Sequence, residues 1–209
     1  MGLIPCILSG CGPGAPDLVT PQVRRAALEA SLLAGAPRLL DLFPESQAER
    51  LPYDQGLSTF LEVLAVHLGR KPVTVLVSGD PGIASLAGTL ERRFPHLPFR
   101  RLPGISSLQL AFAEAGLDWM EARMIRAHGS LPPWEETWNT HRGPFGILAG
   151  AEDSATFTAE LATRLGRSRI WRCERLGLGD QRVTRLTPAE LAREGCDPLS
   201  VLIVEGETP

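Results

Sequence analysis

The sequence is almost without lysine. Lysine and arginine together number 21, and Lys71 is the only lysine, so 20 of the basic residues are arginines. A planar guanidinium grips carboxylates in a two-pronged way that an ammonium cannot, so this bias allows an arginine-lined site for a polyanionic ligand. A biased overall composition would give the same count. Excess positive charge is also missing: the net charge of -3 argues against a general nucleic-acid surface. No stretch approaches the roughly 18 consecutive apolar residues of a membrane span. Met1-Gly2-Leu3-Ile4-Pro5 has no basic n-region and runs straight into a strand, so no signal peptide is expected and a cytoplasmic location follows. Cys6, Cys11, Cys173 and Cys196 form no C-x-x-C pair and no zinc-like spacing with histidine, so they read as buried free thiols and no metal site is expected. No repeat, acid-base dyad or nucleophile triad stands out.

What is present is punctuation. Val73 to Val77 is a short apolar run of the kind that a strand buried on both faces needs. It breaks into Ser78-Gly79-Asp80-Pro81-Gly82, where two glycines free the backbone, one proline fixes it, and a carboxylate sits between. In an open α/β sheet, ligands bind outside the carboxyl ends of strands, so this loop is a site candidate. Strands are expected at Ile4 to Ser9, Arg38 to Phe43, Val73 to Val77 and Phe99 to Leu102. Helices alternate with them: one from Thr20 as N-cap and Pro21 towards Gly35, then Leu57 to Leu68, Ile83 to Phe94, and one ending at Gly116. That order predicts a mostly parallel sheet over residues 1–116. Residues 117–209 read as a second α/β domain with a mixed sheet. Its strand candidates are Met124 to His128, Phe145 to Ala149, Arg169 to Cys173, Gln181 to Leu186 and Leu199 to Val204. Short helices fall near Glu135 to His141, Ser154 to Leu165 and after Thr187-Pro188, and the six residues Arg175 to Asp180 are too few for a helical crossover, which predicts antiparallel pairing there.

Three glycine- and proline-bearing loops end strands of the first half: Gly10 to Asp17, Ser78 to Ser85 and Pro103 to Ser107. The glycines of the first loop invite a dinucleotide-binding reading, and with it an oxidoreductase. That reading requires a helix starting at the glycines and an acidic residue at the end of the second strand. Here the helix start is delayed to Thr20-Pro21, and Asp41 falls inside the expected strand.

Gly10-Cys11-Gly12-Pro13-Gly14-Ala15-Pro16-Asp17-Leu18-Val19-Thr20, Ser78-Gly79-Asp80-Pro81-Gly82 and Pro103-Gly104-Ile105-Ser106-Ser107 resemble the ordered motifs of the tetrapyrrole methylase family. The resemblance implies two α/β domains with the active-site cleft between them, and S-adenosylmethionine as methyl donor. The run from Ser107 to Trp119, Ala127-His128-Gly129, and the run from Cys173 to Val183 resemble the cobalamin-pathway branch that methylates C5 of a corrin precursor, precorrin-7 or cobalt-precorrin-7. In some organisms that module is fused to one that methylates C15 and decarboxylates. The length here leads to the expectation of the stand-alone form, with a separate C15 enzyme as a possible partner. Relatives carry an aromatic pair and a glycine where this chain has Ile83-Ala84-Ser85.

By the same resemblance, Pro13, Ser78, Gly79, Asp80, Ile83, Ser106, Ser107, Ala149 and Leu186 contact the cofactor, largely through backbone groups. Asp17 and His128 are the polar residues expected to face a corrinoid substrate, as catalytic candidates, and Arg123, Arg126 and Arg175 are candidates for its carboxylates. Asp80 has two readings, orienting the donor or capping the helix after it. The relatives' assembly implies a homodimer. A non-catalytic tetrapyrrole carrier, or a family member acting at another position or substrate, stays open. Transfer from a sulfonium needs positioning and exclusion of water more than acid-base chemistry, which accounts for the missing dyad.

Overall fold

A computed structural model of the chain describes residues 2–207. Its contacts divide into two compact units, Met1–Ser106 and Ser107–Pro209.

In the first unit β1 (Cys6–Gly10), β2 (Leu32–Gly35), β3 (Glu49–Pro52), β4 (Val73–Val77) and β5 (Phe99–Leu102) are all parallel, in the order β3-β2-β4-β1-β5. All five residues of β4 are buried, as the valine-rich run requires of a strand covered on both faces. Val73 and Val75 join Leu8, Leu32, Phe60, Leu64 and Leu90 on the face covered by α3 (Leu57–Ala65) and α4 (Ala87–Arg93). Leu76 joins Leu33, Leu102, Val23 and Phe43 on the face of α1 (Pro21–Leu28) and α2 (Pro37–Leu40). Each fully buried Leu or Val contributes about 1.5–3 kcal/mol of apolar burial.

Several expectations change here. The helix from Thr20 starts as read, with the Thr20 hydroxyl accepting from Val23 N at 3.3 Å and Pro21 at the first position, but it stops at Leu28. The residues assigned to its tail, Leu32 to Gly35, are β2. Arg38 to Phe43 is not a strand: Pro37 opens the single-turn α2, whose Leu39 and Leu40 are buried. β3, a polar edge strand, carried no apolar alternation by which to find it. The helix placed at Ile83 begins at Ala87, after a run of turns in which Ala84 adopts φ 45°.

The second unit has five strands in the order β6-β7-β10-β8-β9: β6 (Arg123–Arg126), β7 (Phe145–Leu148), β8 (Ile170–Glu174), β9 (Arg182–Leu186) and β10 (Ser200–Val204). β6 and β7 are parallel, whereas β10 is antiparallel to β7 and β8, and β8 is antiparallel to β9. On one face Leu202 and Val204 pack with Ile147, Trp138 and Leu161 under α6 (Ser154–Arg164) and α7 (Pro188–Glu194). On the other, Val201 and Ile203 pack with Leu108, Ala111 and Phe112 of α5 (Ser107–Ala115). That packing places α5 in this unit, so the units divide ten residues before the boundary read at Gly116. Thr187 and Glu190 cap α7 reciprocally.

Among the described residues, no helix is long and apolar enough to cross a membrane, and no group of three His, Cys, Asp or Glu side chains could hold a metal ion. All four cysteines are free; Cys196 is half-buried and the other three are buried.

Candidate functional site

Strand order selects the site in the first unit. The chain leaves β1 towards β2 and leaves β4 towards β5, so connections from two adjacent strands depart in opposite directions. This is the switch point of an open α/β sheet, where ligands bind outside the carboxyl ends of the strands. The three glycine-bearing loops follow β1, β4 and β5, the strands at and beside that point.

Backbone contacts lock the loops together. Gly12 N donates to Gly79 O at 3.2 Å and Gly79 N to Gly12 O at 2.8 Å, while Cys11 N donates to Val77 O at 2.9 Å. Gly12 and Gly79 have φ of 68° and 65°, the left-handed region that favours glycine. A Cβ on Gly104 would lie 2.3 Å from Gly79 O and 2.4 Å from Gly10 O, and one on Gly10 would lie 2.6 Å from Gly104 N and Gly79 O. Only glycine lets three backbones meet at this distance.

The Asp80 carboxylate joins the second loop to the third. Its Oδ1 accepts from Gly82 N at 2.7 Å and its Oδ2 from Gly104 N at 3.2 Å. It does not cap α4, which has no side-chain cap. The Ser85 hydroxyl donates to Pro81 O at 2.7 Å and accepts from Ala87 N at 3.2 Å, fixing the turn that leaves Ile83 exposed. Ser78 is exposed and accepts from Arg38 Nη2 at 3.0 Å. Pro13 is half-buried, and Asp17 is exposed in the short 3-10 turn Pro16–Leu18. Ser106 is buried at the end of the third loop, and Ser107 starts α5. Burial pushes the Cys11 thiol up to about 12, so this residue in the first loop stays a neutral thiol. The helix required by the dinucleotide reading is absent from the first loop, since α1 begins only at Pro21, and Asp41 lies at the end of α2 rather than in a strand.

In the second unit β6, β7 and β8 run the same way, so the segments after Arg126, Leu148 and Glu174 share an edge. His128 Nδ1 lies 3.1 Å from Ala149 O. A carbonyl only accepts, so Nδ1 carries the proton and Nε2 is left as the basic nitrogen. Gly150 makes room for the ring: a Cβ there would lie 2.0 Å from His128 Nδ1. Leu186 does not join this group. It pairs with Ile170, which pairs with Val204 at the far end of β10, whereas Ala149 N donates to Ser200 O at the near end. Four residues of strand, about 13 Å, separate the two positions, and Leu186 is 9% exposed in the apolar core.

The arginine candidates also separate. Arg123 is paired with Glu135 at 2.5 Å, and Arg175, in a left-handed conformation at φ 52°, with Asp180 at 2.6 Å. Arg126 alone of the three has no carboxylate partner among the described residues, and it shares the exposed face of the β6 line with His128. Much of the run from Cys173 to Val183 is structural: the buried Glu174 accepts from Asp197 N at 3.0 Å and pairs with Arg182 at 3.2 Å. Arg38 escaped the sequence reading because it was assigned to a strand. A β2 drawn at the leucines before Gly35 would have put it at the same rim as the three loops.

Residues 6–192 match the profile of the Tetrapyrrole (Corrin/Porphyrin) Methylases. The chain belongs to this family. Among tetrapyrrole methylases it is 33% identical, over 133 residues, to the cobalt-precorrin-7 C(5)-methyltransferase of Salmonella typhimurium, covering 64% of this chain and 65% of that protein. It is 24% identical over 204 residues to a probable cobalt-precorrin-7 C(5)-methyltransferase of Methanocaldococcus jannaschii, covering 95% and 96% of the two chains. The fold matches the crystal structure of uroporphyrin-III C-methyl transferase from Thermus thermophilus complexed with S-adenyl homocysteine, with a TM-score of 0.76 and 23% identity over 97% of this chain and 92% of that one. The likeness to the Thermus thermophilus structure shows a shared fold.

Proposed function

We propose that this tetrapyrrole methylase transfers a methyl group from S-adenosylmethionine to C5 of precorrin-7 or cobalt-precorrin-7. The observation that carries the reading is the rim where Gly10, Gly12, Gly79 and Gly104 bring three strand-end loops into backbone contact at the switch point of the sheet. Such a rim offers a ligand backbone groups and serine hydroxyls but no nucleophile, which suits a donor that is reactive by itself. The names of the Salmonella typhimurium and Methanocaldococcus jannaschii relatives support the position methylated, and the ligand of the Thermus thermophilus structure supports the donor.

In this reading Pro13, Ser78, Gly79, Asp80, Ile83 and Ser106 contact the donor. Leu186 is left out because about 13 Å of strand separates it from Ala149. Asp80 acts by holding the second and third loops in register. The step itself is an in-line displacement: the sulfonium-methyl bond breaks as the new C–C bond forms, and the thioether leaves without protonation. Holding the two carbons near contact and excluding water lower the barrier. The ring then has a proton to lose, and His128 Nε2 is the group we assign to accept it, since the bond from Nδ1 to Ala149 O fixes the tautomer. Arg126 receives a substrate carboxylate. Assembly as a homodimer, a cytoplasmic location and cooperation with a separate C15 methylase belong to the same reading.

Incubation with isotope-labelled S-adenosylmethionine and a panel of purified corrin precursors tests it. A mass gain of one methyl, located at C5 by carbon-13 NMR, is the expected outcome. A methyl at another ring position overturns the regiochemistry. Turnover of nicotinamide cofactor without methyl transfer, or corrinoid binding without formation of S-adenosylhomocysteine, overturns the activity.

A further inference from the structure

Among the described residues Arg38 is not ion-paired, unlike several other cations of the first unit. Arg24, Lys71 and Arg101 pair with Glu45, Glu49 and Glu91, and Arg50 donates to the carbonyls of Leu40 and Phe43. Arg38 has one hydrogen bond, from Nη2 to the neutral Ser78 hydroxyl at 3.0 Å, and no carboxylate partner among the described residues. Its other titratable neighbour is the Cys11 thiol, which is neutral. A guanidinium has five N–H donors, and one is used.

Position decides what the other four can reach. Along the rim, the strand order sets Arg38 after β2, the Ser78 loop after β4, the Gly12 loop after β1 and Gly104 after β5. The interlocked glycines that would hold the donor centre on β1. Arg38 lies two strands away from β1, on the flank opposite Gly104, and its one hydrogen bond goes to Ser78. It borders the donor loops instead of lining them.

Resting on the function proposed above, we propose that Arg38 is a substrate-binding residue that receives a carboxylate of the corrin macrocycle while its bond to Ser78 holds the guanidinium at the rim. The donor also carries a carboxylate, so the two sources have to be separated by experiment.

The test measures steady-state methylation by the wild-type enzyme, Arg38→Gln and Arg38→Lys, with S-adenosylhomocysteine affinity by titration calorimetry. A substrate whose side-chain carboxylates are methyl esters provides a second arm that needs no variant. Arg38→Gln is expected to raise KM for the macrocycle about tenfold or more, as loss of a charge-assisted pair requires. Its kcat and its affinity for S-adenosylhomocysteine should stay within about twofold of wild type. Arg38→Lys should recover part of the KM loss, since it keeps the charge without the fork. The wild-type enzyme should discriminate against the ester more strongly than Arg38→Gln does. An unchanged KM in Arg38→Gln, equal discrimination by both enzymes, or a fall in S-adenosylhomocysteine affinity matching the KM change overturns the assignment. A wild-type enzyme that neither binds S-adenosylhomocysteine nor transfers a methyl refutes the underlying function instead, and is told apart by that result.

Discussion

Replacing Gly104 by alanine tests the rim at its tightest point. The added Cβ would lie 2.3 Å from Gly79 O, 0.7 Å inside the 3.0 Å that Cβ atoms keep from other heavy atoms, and 2.4 Å from Gly10 O. Both obstacles are backbone atoms of loops that follow buried strands, so no side chain can rotate away. Overpacking usually costs about 1–3 kcal/mol, and a clash against two fixed carbonyls belongs at the upper end. The strain can be relieved by forcing the loops after β1, β4 and β5 apart. About 3 kcal/mol lost from the geometry that holds the donor corresponds to roughly a hundredfold fall in affinity. Urea unfolding and calorimetric titration with S-adenosylhomocysteine measure the two effects. Gly179→Ala, where a Cβ meets nothing within 4 Å, is the control and should leave both within error. A Gly104→Ala protein with wild-type stability and donor affinity within about twofold would refute the argument that three backbones must touch here.

Asp80→Ala removes the acceptor for Gly82 N and Gly104 N and should cost about 1–2 kcal/mol in urea unfolding, with weaker donor binding, whereas Asp80→Asn should lose less because one oxygen remains. His128→Gln should lower kcat about a hundredfold while donor affinity holds, whereas Asp17→Asn should leave kcat within about twofold of wild type. Stability should fall in alkali. Burial raises the Cys6, Cys11 and Cys173 thiols from 9.0 to about 12, so the unfolded chain releases protons that the folded one keeps. The stabilisation these thiols provide is therefore complete below pH 9 and is lost as pH climbs towards 12. Urea midpoints across that range test this, and replacing the three cysteines by alanine should flatten the curve.

How far the sequence could be read follows from where its signals lie. β4 and β5 have the expected bounds, because each is a short run closed abruptly by glycine or proline. The Thr187 capping box and the antiparallel β8-β9 pair were legible for the same reason: a cap and a short connection are local facts. The exchange of Leu32 to Gly35 with Arg38 to Phe43 was not. Both runs are short and apolar, and only tertiary packing decides which becomes strand and which becomes a helical turn under the sheet. That reading hides Arg38, because the first residue of a parallel strand lies at the end of the sheet opposite the carboxyl-end rim. The loops themselves could be found from Gly and Pro, but not their interlock: the contacts among Gly10, Gly79 and Gly104 join residues 25 to 94 positions apart. Asp80 shows the same limit. Its position suggests a helix cap or a donor ligand; it caps no helix, and its carboxylate joins two loops.

The central claim is that the glycine-bearing loops after β1, β4 and β5 hold the methyl donor. Backbone amide shifts recorded during titration with S-adenosylhomocysteine test it directly. The account predicts saturable shifts concentrated on Gly12, Gly79, Asp80, Gly104 and their neighbours. Saturation with shifts confined to other loops, or no shift at all at millimolar ligand, would contradict it.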